Sequence, residues 1–305
     1  MLLSRTELLP YKNGEYLWKY VPSVPLAAIF AALFLVVSLA HTWKMIRHRL
    51  WFCLPFTLGG YLEALGCAAR IVSRYNSDKL IPFVIQSISL LIPPSLFAAS
   101  IYMTLGRIMR GLGPRGTACS IIRVKWLTTI FVVGDVLAFN IQGAGAPMLA
   151  KESTATMGKI LVIVGLVVQI AFFGLFVIAA IIFDMRYRRG VVSGFALVQE
   201  GQNQMNVSPF NWQKLMTMLY ATSALILVRS IFRIIEYVMG YDGYLLTNEW
   251  PLYVFDLALM VVTMVLFYVW YPSMIKPLPE STESRSMELL PQHAKARGCG
   301  SRAYS

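Results

Sequence analysis

The stretch "LVRSIFRIIEYV", Leu227–Val238, decides how this chain is read. It lies in an apolar run, Leu215–Met239, long enough to cross a bilayer, yet it carries Arg229, Arg233 and Glu236. A charged side chain at the centre of a membrane helix costs about 2.5–3.5 kcal/mol on insertion scales. The three residues are spaced i, i+4, i+7, so they share one face of a helix. Such a face calls for counter-charges on neighbouring helices, and therefore for a bundle.

The rest of the chain supplies one. Of its 305 residues 57% are hydrophobic and only 14% charged, against about 25% charged in a soluble domain. The mean hydropathy is +0.61. Apolar runs of spanning length occur at Val24–Trp43, Trp51–Val72, Pro82–Met109, Lys125–Gly143, Gly158–Phe183, Leu215–Met239 and Trp250–Tyr271. The expected fold is an all-α membrane protein of seven transmembrane helices occupying 24–275. Pro93-Pro94 lies in the middle of the third run and predicts a kink there, because proline lacks the donor that the helix needs. The third and fifth runs exceed the bilayer thickness and should tilt or project.

Lys and Arg set the orientation. They crowd the first, third and fifth connections (Lys44, Arg47, Arg49; Arg107, Arg110, Arg115, Arg123, Lys125; Arg186, Arg188, Arg189, Lys214) and the tail after Lys276. The opposite side has few. The charge rule then puts the N-terminus (1–23) outside and the C-terminus in the cytoplasm. Cleavage of the first run as a signal would place "KMIRHR" outside, against that rule, so it is read as a span. The tail 276–305 is polar, without apolar periodicity, and reads as disordered. The longest internal loop is 184–214. It holds an Asn206-Val207-Ser208 sequon on the side predicted to be cytoplasmic.

Several function classes fall away. The net charge of +12 lies in short loops, not in a basic soluble domain, which argues against nucleic acid as a partner. Cys53, Cys67, Cys119 and Cys299 match no zinc or disulfide spacing. His41, His48 and His293 form no metal box, and His41 is expected near the membrane interface. No Gly-x4-Gly-Lys-Ser/Thr loop is present. "GLGPRG", Gly111–Gly116, reads as a glycine-rich turn. No Ser-His-Asp set can be assigned, no lysine lies deep in a span to carry retinal, and the chain is not expected to be an enzyme.

Seven ionisable residues do lie within spans: Glu63, Arg70, Asp135, Arg229, Arg233, Glu236 and Asp256. At about 1.5 Å per residue, Glu63 and Arg229 are both roughly 15 Å from the predicted outer surface. Arg233 and Asp256 are both about 10 Å deep, Asp135 is about 12 Å deep, and Arg70 and Glu236 lie within about 5 Å of the surface. Opposite charges thus occur at matching depths. The expected network joins spans two, four, six and seven, with Glu63 facing Arg229, Asp256 facing Arg233, and Arg70 facing Glu236. Gln86, Asn140 and Gln142 are candidates to extend it, and Gln169 on span five can do the same. Two readings stand side by side: a structural clamp, or a polar chamber for the head group of an amphipathic ligand. A ligand amine would suit Glu63, Asp135 or Asp256.

Longer motifs carry a resemblance. "YLEALGCAARI", "QSISLLIPPSLFAASIYMTLGRIMR", "FVVGDVLAFNIQGAGAPM", "VGLVVQIAFFGLF" and above all "LVRSIFRIIEYVMGYDGYLLTNEWPLYVFDLALM" are similar to the fungal lipid-translocating exporter family, the RTA-like proteins. Two positions depart from that pattern: Cys67 stands where an aromatic is usual, and Tyr271 where a histidine usually precedes Pro272. The resemblance implies seven spans, a place in the plasma membrane or another fungal membrane, and membrane lipids as partners. It implies the binding or movement of an amphipathic molecule such as a sphingoid base, phospholipid or aminosterol, with a role in resistance. It allows haem or porphyrin as a ligand and names no resident cofactor. The alternative is a seven-helix receptor or sensor that regulates lipid transport. "YVWYPSMI" and "LGRIMR" lack the Asn-Pro-x-x-Tyr and Asp/Glu-Arg-Tyr signatures of common G-protein-coupled receptors.

Overall fold

The computed structural model describes residues 23–75, 80–120, 123–148, 152–190, 212–239 and 249–271. Among them, seven helices are long and apolar enough to cross a membrane, and there is no strand. The sequon at Asn206, most of the N-terminal segment and the tail 276–305 lie outside the described residues.

The first span, α1 (Val24–His48), opens with Pro25 in its first turn, where a missing N–H costs nothing. It ends at Arg49, in the left-handed region with φ 52°. That residue turns the chain directly into a 3-10 turn, Trp51–Cys53, and then into α2 (Leu54–Tyr75). The two helices form a tight antiparallel hairpin in which Gly60 of α2 passes Ser38 so closely that a Cβ would lie 2.3 Å from its Oγ. Along α1, Val36, Leu39 and Ile46 are exposed, as a lipid-facing side requires.

The third span is two helices, α3 (Leu80–Leu91) and α4 (Pro93–Gly111), interrupted at Ile92. The cause is local. Pro93 and Pro94 have no N–H to offer the carbonyls of Ser89 and Leu90, four residues back. Beyond the prolines, Ser95 N–H turns to the Ile92 carbonyl at 3.1 Å. α4 then runs through the middle of the bundle, packed against α2, α6 (Val124–Met148), α7 (Glu152–Gly190) and α8 (Trp212–Met239). Its Phe97, Tyr102, Leu105 and Ile108 are fully buried.

The segment expected to be a glycine-rich turn after α4 instead forms a short helix, α5 (Gly113–Ala118). The fifth span also reaches further than expected: α7 has 39 residues, about 58 Å of helix, and takes up the first part of the expected long loop. The basic end of α7 is stabilised by an Asp184–Arg188 pair one turn apart. The seventh span starts as a π-helix, Leu252–Ala258, and continues as α9 (Leu259–Val269). It packs against α8 on one side, while α9 also meets α1 on the other. First and last spans are therefore neighbours and the bundle closes on itself.

Candidate functional site

The charges of the opening stretch converge with those of the seventh span. On α8, the i, i+4, i+7 spacing puts Arg229, Arg233 and Glu236 on one buried face. The π-helix brings Asp256 against that face. Each Asp256 carboxylate oxygen meets one arginine, Oδ1 the Arg229 Nε and Oδ2 the Arg233 Nη2. Arg233 also donates to Glu236 through Nη1 at 2.9 Å. The Asp256–Arg233 contact expected from matching depths is thus present.

Arg229 has a second partner that depth matching did not anticipate. Its Nη2 donates to the backbone carbonyl of Leu90 at 2.6 Å. That is one of the carbonyls that the proline pair releases, the one Pro94 would otherwise serve. The break in span three and the arginine of span six therefore answer one another: a carbonyl without a helix partner is costly in hydrocarbon, and the guanidinium satisfies it.

Glu63 does not touch Arg229, contrary to the expected pairing. Arg229 is instead directed to Asp256 and the Leu90 carbonyl. Glu63, on α2, is 0% exposed, and among the described residues neither of its carboxylate oxygens has a hydrogen-bond partner. The charged groups that act on it are Arg229, Asp256 and Arg233. Gly66, one turn further along α2, lies so close to α3 that a Cβ there would be 2.8 Å from Leu90.

The expected Arg70–Glu236 pair is also corrected. Glu236 is held by Arg233 within its own helix, and Arg70 pairs with Glu249 instead, through Nη2 at 2.8 Å and Nε at 3.2 Å. Glu249 further accepts from the Tyr253 hydroxyl at 2.9 Å and from the Ser23 N–H at 2.8 and 3.0 Å. This second polar cluster lies at the end of the bundle where α1 begins. Burial works to raise the Glu249 carboxyl, but the hydrogen bonds from Arg70, Ser23 and Tyr253 hold it below the ordinary glutamate value. The sequence puts Glu249 on one face with Tyr253 and Asp256 through an i, i+4, i+7 series, but its place just before the span left it out of the expected network.

The remaining candidates separate from the arginine layer. Asp135, on α6, accepts from the Tyr102 hydroxyl at 2.8 Å, amid Phe131, Phe173 and Phe176. It belongs to a different region, between spans three, four and five. Asn140 is exposed and donates to the Val136 carbonyl of its own helix at 2.7 Å, so it extends no network. Gln142 donates to Gln169 at 2.9 Å, and Gln169 to Ser95 at 3.2 Å, which links spans four, five and three. Gln86 is buried on α3 with its amide oxygen unpartnered among the described residues.

His41, near the end of the first span, is buried within the bundle. Its Nε2 lies 3.0 Å from the Met264 carbonyl, between rings of Phe56, Phe267 and Tyr268. No group of three or more His, Cys, Asp or Glu able to hold a metal occurs among the described residues.

The chain as a whole is similar to known proteins. Residues 56–278 match the model of a family described as RTA1 like protein. The chain is 32% identical over 286 residues to Protein RTA1 of Saccharomyces cerevisiae, covering 86% of each protein. It is 36% identical over 216 residues to Protoporphyrin uptake protein 1 of the same yeast, covering 71% of this chain and 67% of that one. It is 23% identical over 317 residues to the Sphingoid long-chain base transporter RSB1 of the strain YJM789, covering 96% of this chain and 81% of the transporter. No solved structure matches.

Proposed function

This chain belongs to the RTA1-like protein family, and from that premise we propose that it binds or moves an amphipathic lipid within its membrane bundle. The candidates are a sphingoid base, a phospholipid or an aminosterol, with a contribution to resistance against such compounds. The protein is a multi-pass membrane protein with seven spans. A plasma-membrane location, an outside N-terminus and a cytoplasmic C-terminus belong to the same proposal, and glycan on Asn206 would reverse the orientation. The protein acts without catalysis of its own.

One observation carries the reading. Arg229, Arg233, Glu236 and Asp256 pair with one another and sum to zero charge, while among the described residues Glu63 has neither an ion pair nor a hydrogen-bond partner. A buried polar group left without a partner in a native protein calls for a reason. A head group supplied by a ligand is such a reason, and the names of two relatives refer to amphipathic molecules, a sphingoid long-chain base and protoporphyrin.

The test is reconstitution of the purified protein in liposomes with labelled sphingoid base and labelled phospholipid. Movement of either between leaflets above protein-free vesicles is the expected result. Binding without movement would favour a sensor that regulates lipid transport. Neither binding nor movement of any amphipath would sink the proposal.

A further inference from the structure

Charge counting in the arginine layer leads one step further, on the premise that the layer receives an amphipathic ligand. Arg229 and Arg233 are balanced by Asp256 and Glu236, and Arg70 by Glu249. Among the described residues Glu63 is then the acid of this layer with no positive counterpart. Its surroundings add none. α3 has no ionisable residue in its sequence. On α1, the ionisable side chains His41, Lys44, Arg47 and His48 all lie in its C-terminal third, beyond the level of Gly60 and Ser38. Cys67 lies one turn along α2 from Glu63. From α8 and the π-helix come only Arg229, Arg233 and Asp256, which are already committed to one another.

A fully buried carboxylate without a counter-charge carries a desolvation penalty of several kcal/mol. A cation removes it, and two kinds can do so within the bundle: a proton, or the ammonium group of a ligand whose tail remains among the apolar helices. We propose that Glu63 exchanges one for the other. The carboxylic acid form releases its proton to water as the ammonium head group R–NH3⁺ arrives, and the carboxylate and the ammonium then form the ion pair. Charge within the bundle is unchanged by the exchange. Binding of an amphipathic amine is thereby tied to proton release, which gives a chain without a nucleotide motor a means of using a proton gradient.

The experiment is calorimetric titration of the full-length protein in detergent, repeated in buffers of different ionisation enthalpy, so that protons released per ligand bound are read directly. The probe is a long-chain trimethylammonium amphipath, which has no proton of its own to give. A long-chain alcohol with the same tail serves as the uncharged comparison. The expected result is about one proton released per ammonium probe bound and none with the alcohol. Glu63→Gln, nearly isosteric, should weaken ammonium binding about tenfold or more and abolish the release while still binding the alcohol.

Binding of the ammonium probe by the wild-type protein without proton release overturns the exchange and leaves the lipid-binding function intact. Proton release lost in Asp135→Asn but kept in Glu63→Gln overturns it too, by assigning the exchange to the other unpaired acid. Failure of every amphipath to bind the wild-type protein removes the function on which the exchange rests.

Discussion

Asp256 and Asp135 are both aspartates buried inside the bundle, 1% and 2% exposed, and the fold treats them in opposite ways. Asp256 takes a guanidinium on each oxygen, and through Arg229 it is tied to a backbone carbonyl of α3. Asp135 takes one phenol and leaves Oδ1 without a partner among the described residues. The first arrangement joins three spans by opposite charges in a medium of low dielectric, where the attraction is strong and a lost partner is expensive. The second joins two spans by one hydrogen bond amid tilted and edge-on rings. Packing carries most of the load there, and the polar contact adds orientation. The difference separates a clamp, whose charges are spoken for, from positions that retain unused capacity.

Substitutions at the two aspartates put that contrast under the greatest strain. Asp256→Ala strands two buried arginines and should destabilise the protein by about 3–5 kcal/mol, read as thermal unfolding in detergent. Asp135→Ala should cost clearly less, and equal losses would erase the distinction. Tyr102→Phe leaves Asp135 with no hydrogen bond and should cost about 1–3 kcal/mol, whereas Tyr102→Phe combined with Asp135→Leu should recover most of it, because both partners are then apolar. No such recovery is expected at the arginine layer.

A smaller effect tests the link between the helix break and the clamp. Pro94→Ala restores a donor for the Leu90 carbonyl, so Arg229→Gln should be less harmful in that background. A double-mutant cycle should give a coupling of about 1 kcal/mol. Additive losses would mean that Arg229 answers to Asp256 alone.

The smallest change is expected at the bundle end and only in acid. Glu249 titrates below the ordinary glutamate value when folded. Its contribution is therefore complete above the unfolded value and is lost as pH falls through the folded one. Stability of the wild-type protein should decline over that acid window, and Glu249→Gln should flatten the decline. An unchanged acid limb would show that Glu249 does not hold this end together.

How much of this was legible in the sequence depends on what sets each feature. Apolar run length fixes the spans, and all seven were readable. The proline pair announced the break at Ile92. Depth counting found Arg233–Asp256 because both residues are in the interior of their runs. It failed for Arg70, whose true partner Glu249 lies just before a span, and for Arg229, one of whose partners is a backbone carbonyl that no residue type reveals. Asn140 was misplaced because a polar side chain in a span can also bond its own helix, and helical rotation rather than depth decides which it does. Asp135 was grouped with the arginines by depth alone, although depth carries no information about which side of the bundle α6 occupies.

The order in which the chain is made gives the arginines a history. Arg70 is synthesised 179 residues before Glu249, which at about 5–20 residues per second is roughly ten to forty seconds. Arg233 precedes Asp256 by 23 residues. Arg70, Arg229 and Arg233 thus enter the membrane ahead of Glu249 and Asp256, with Glu236 the one acid that arrives beside its arginine, and the Ser23 N–H waits across 226 residues for its acceptor. The seventh span is the last to arrive and brings both Glu249 and Asp256. Until it docks, the six preceding spans are a nascent chain with open electrostatic accounts, the kind of unfinished membrane segment on which quality control acts.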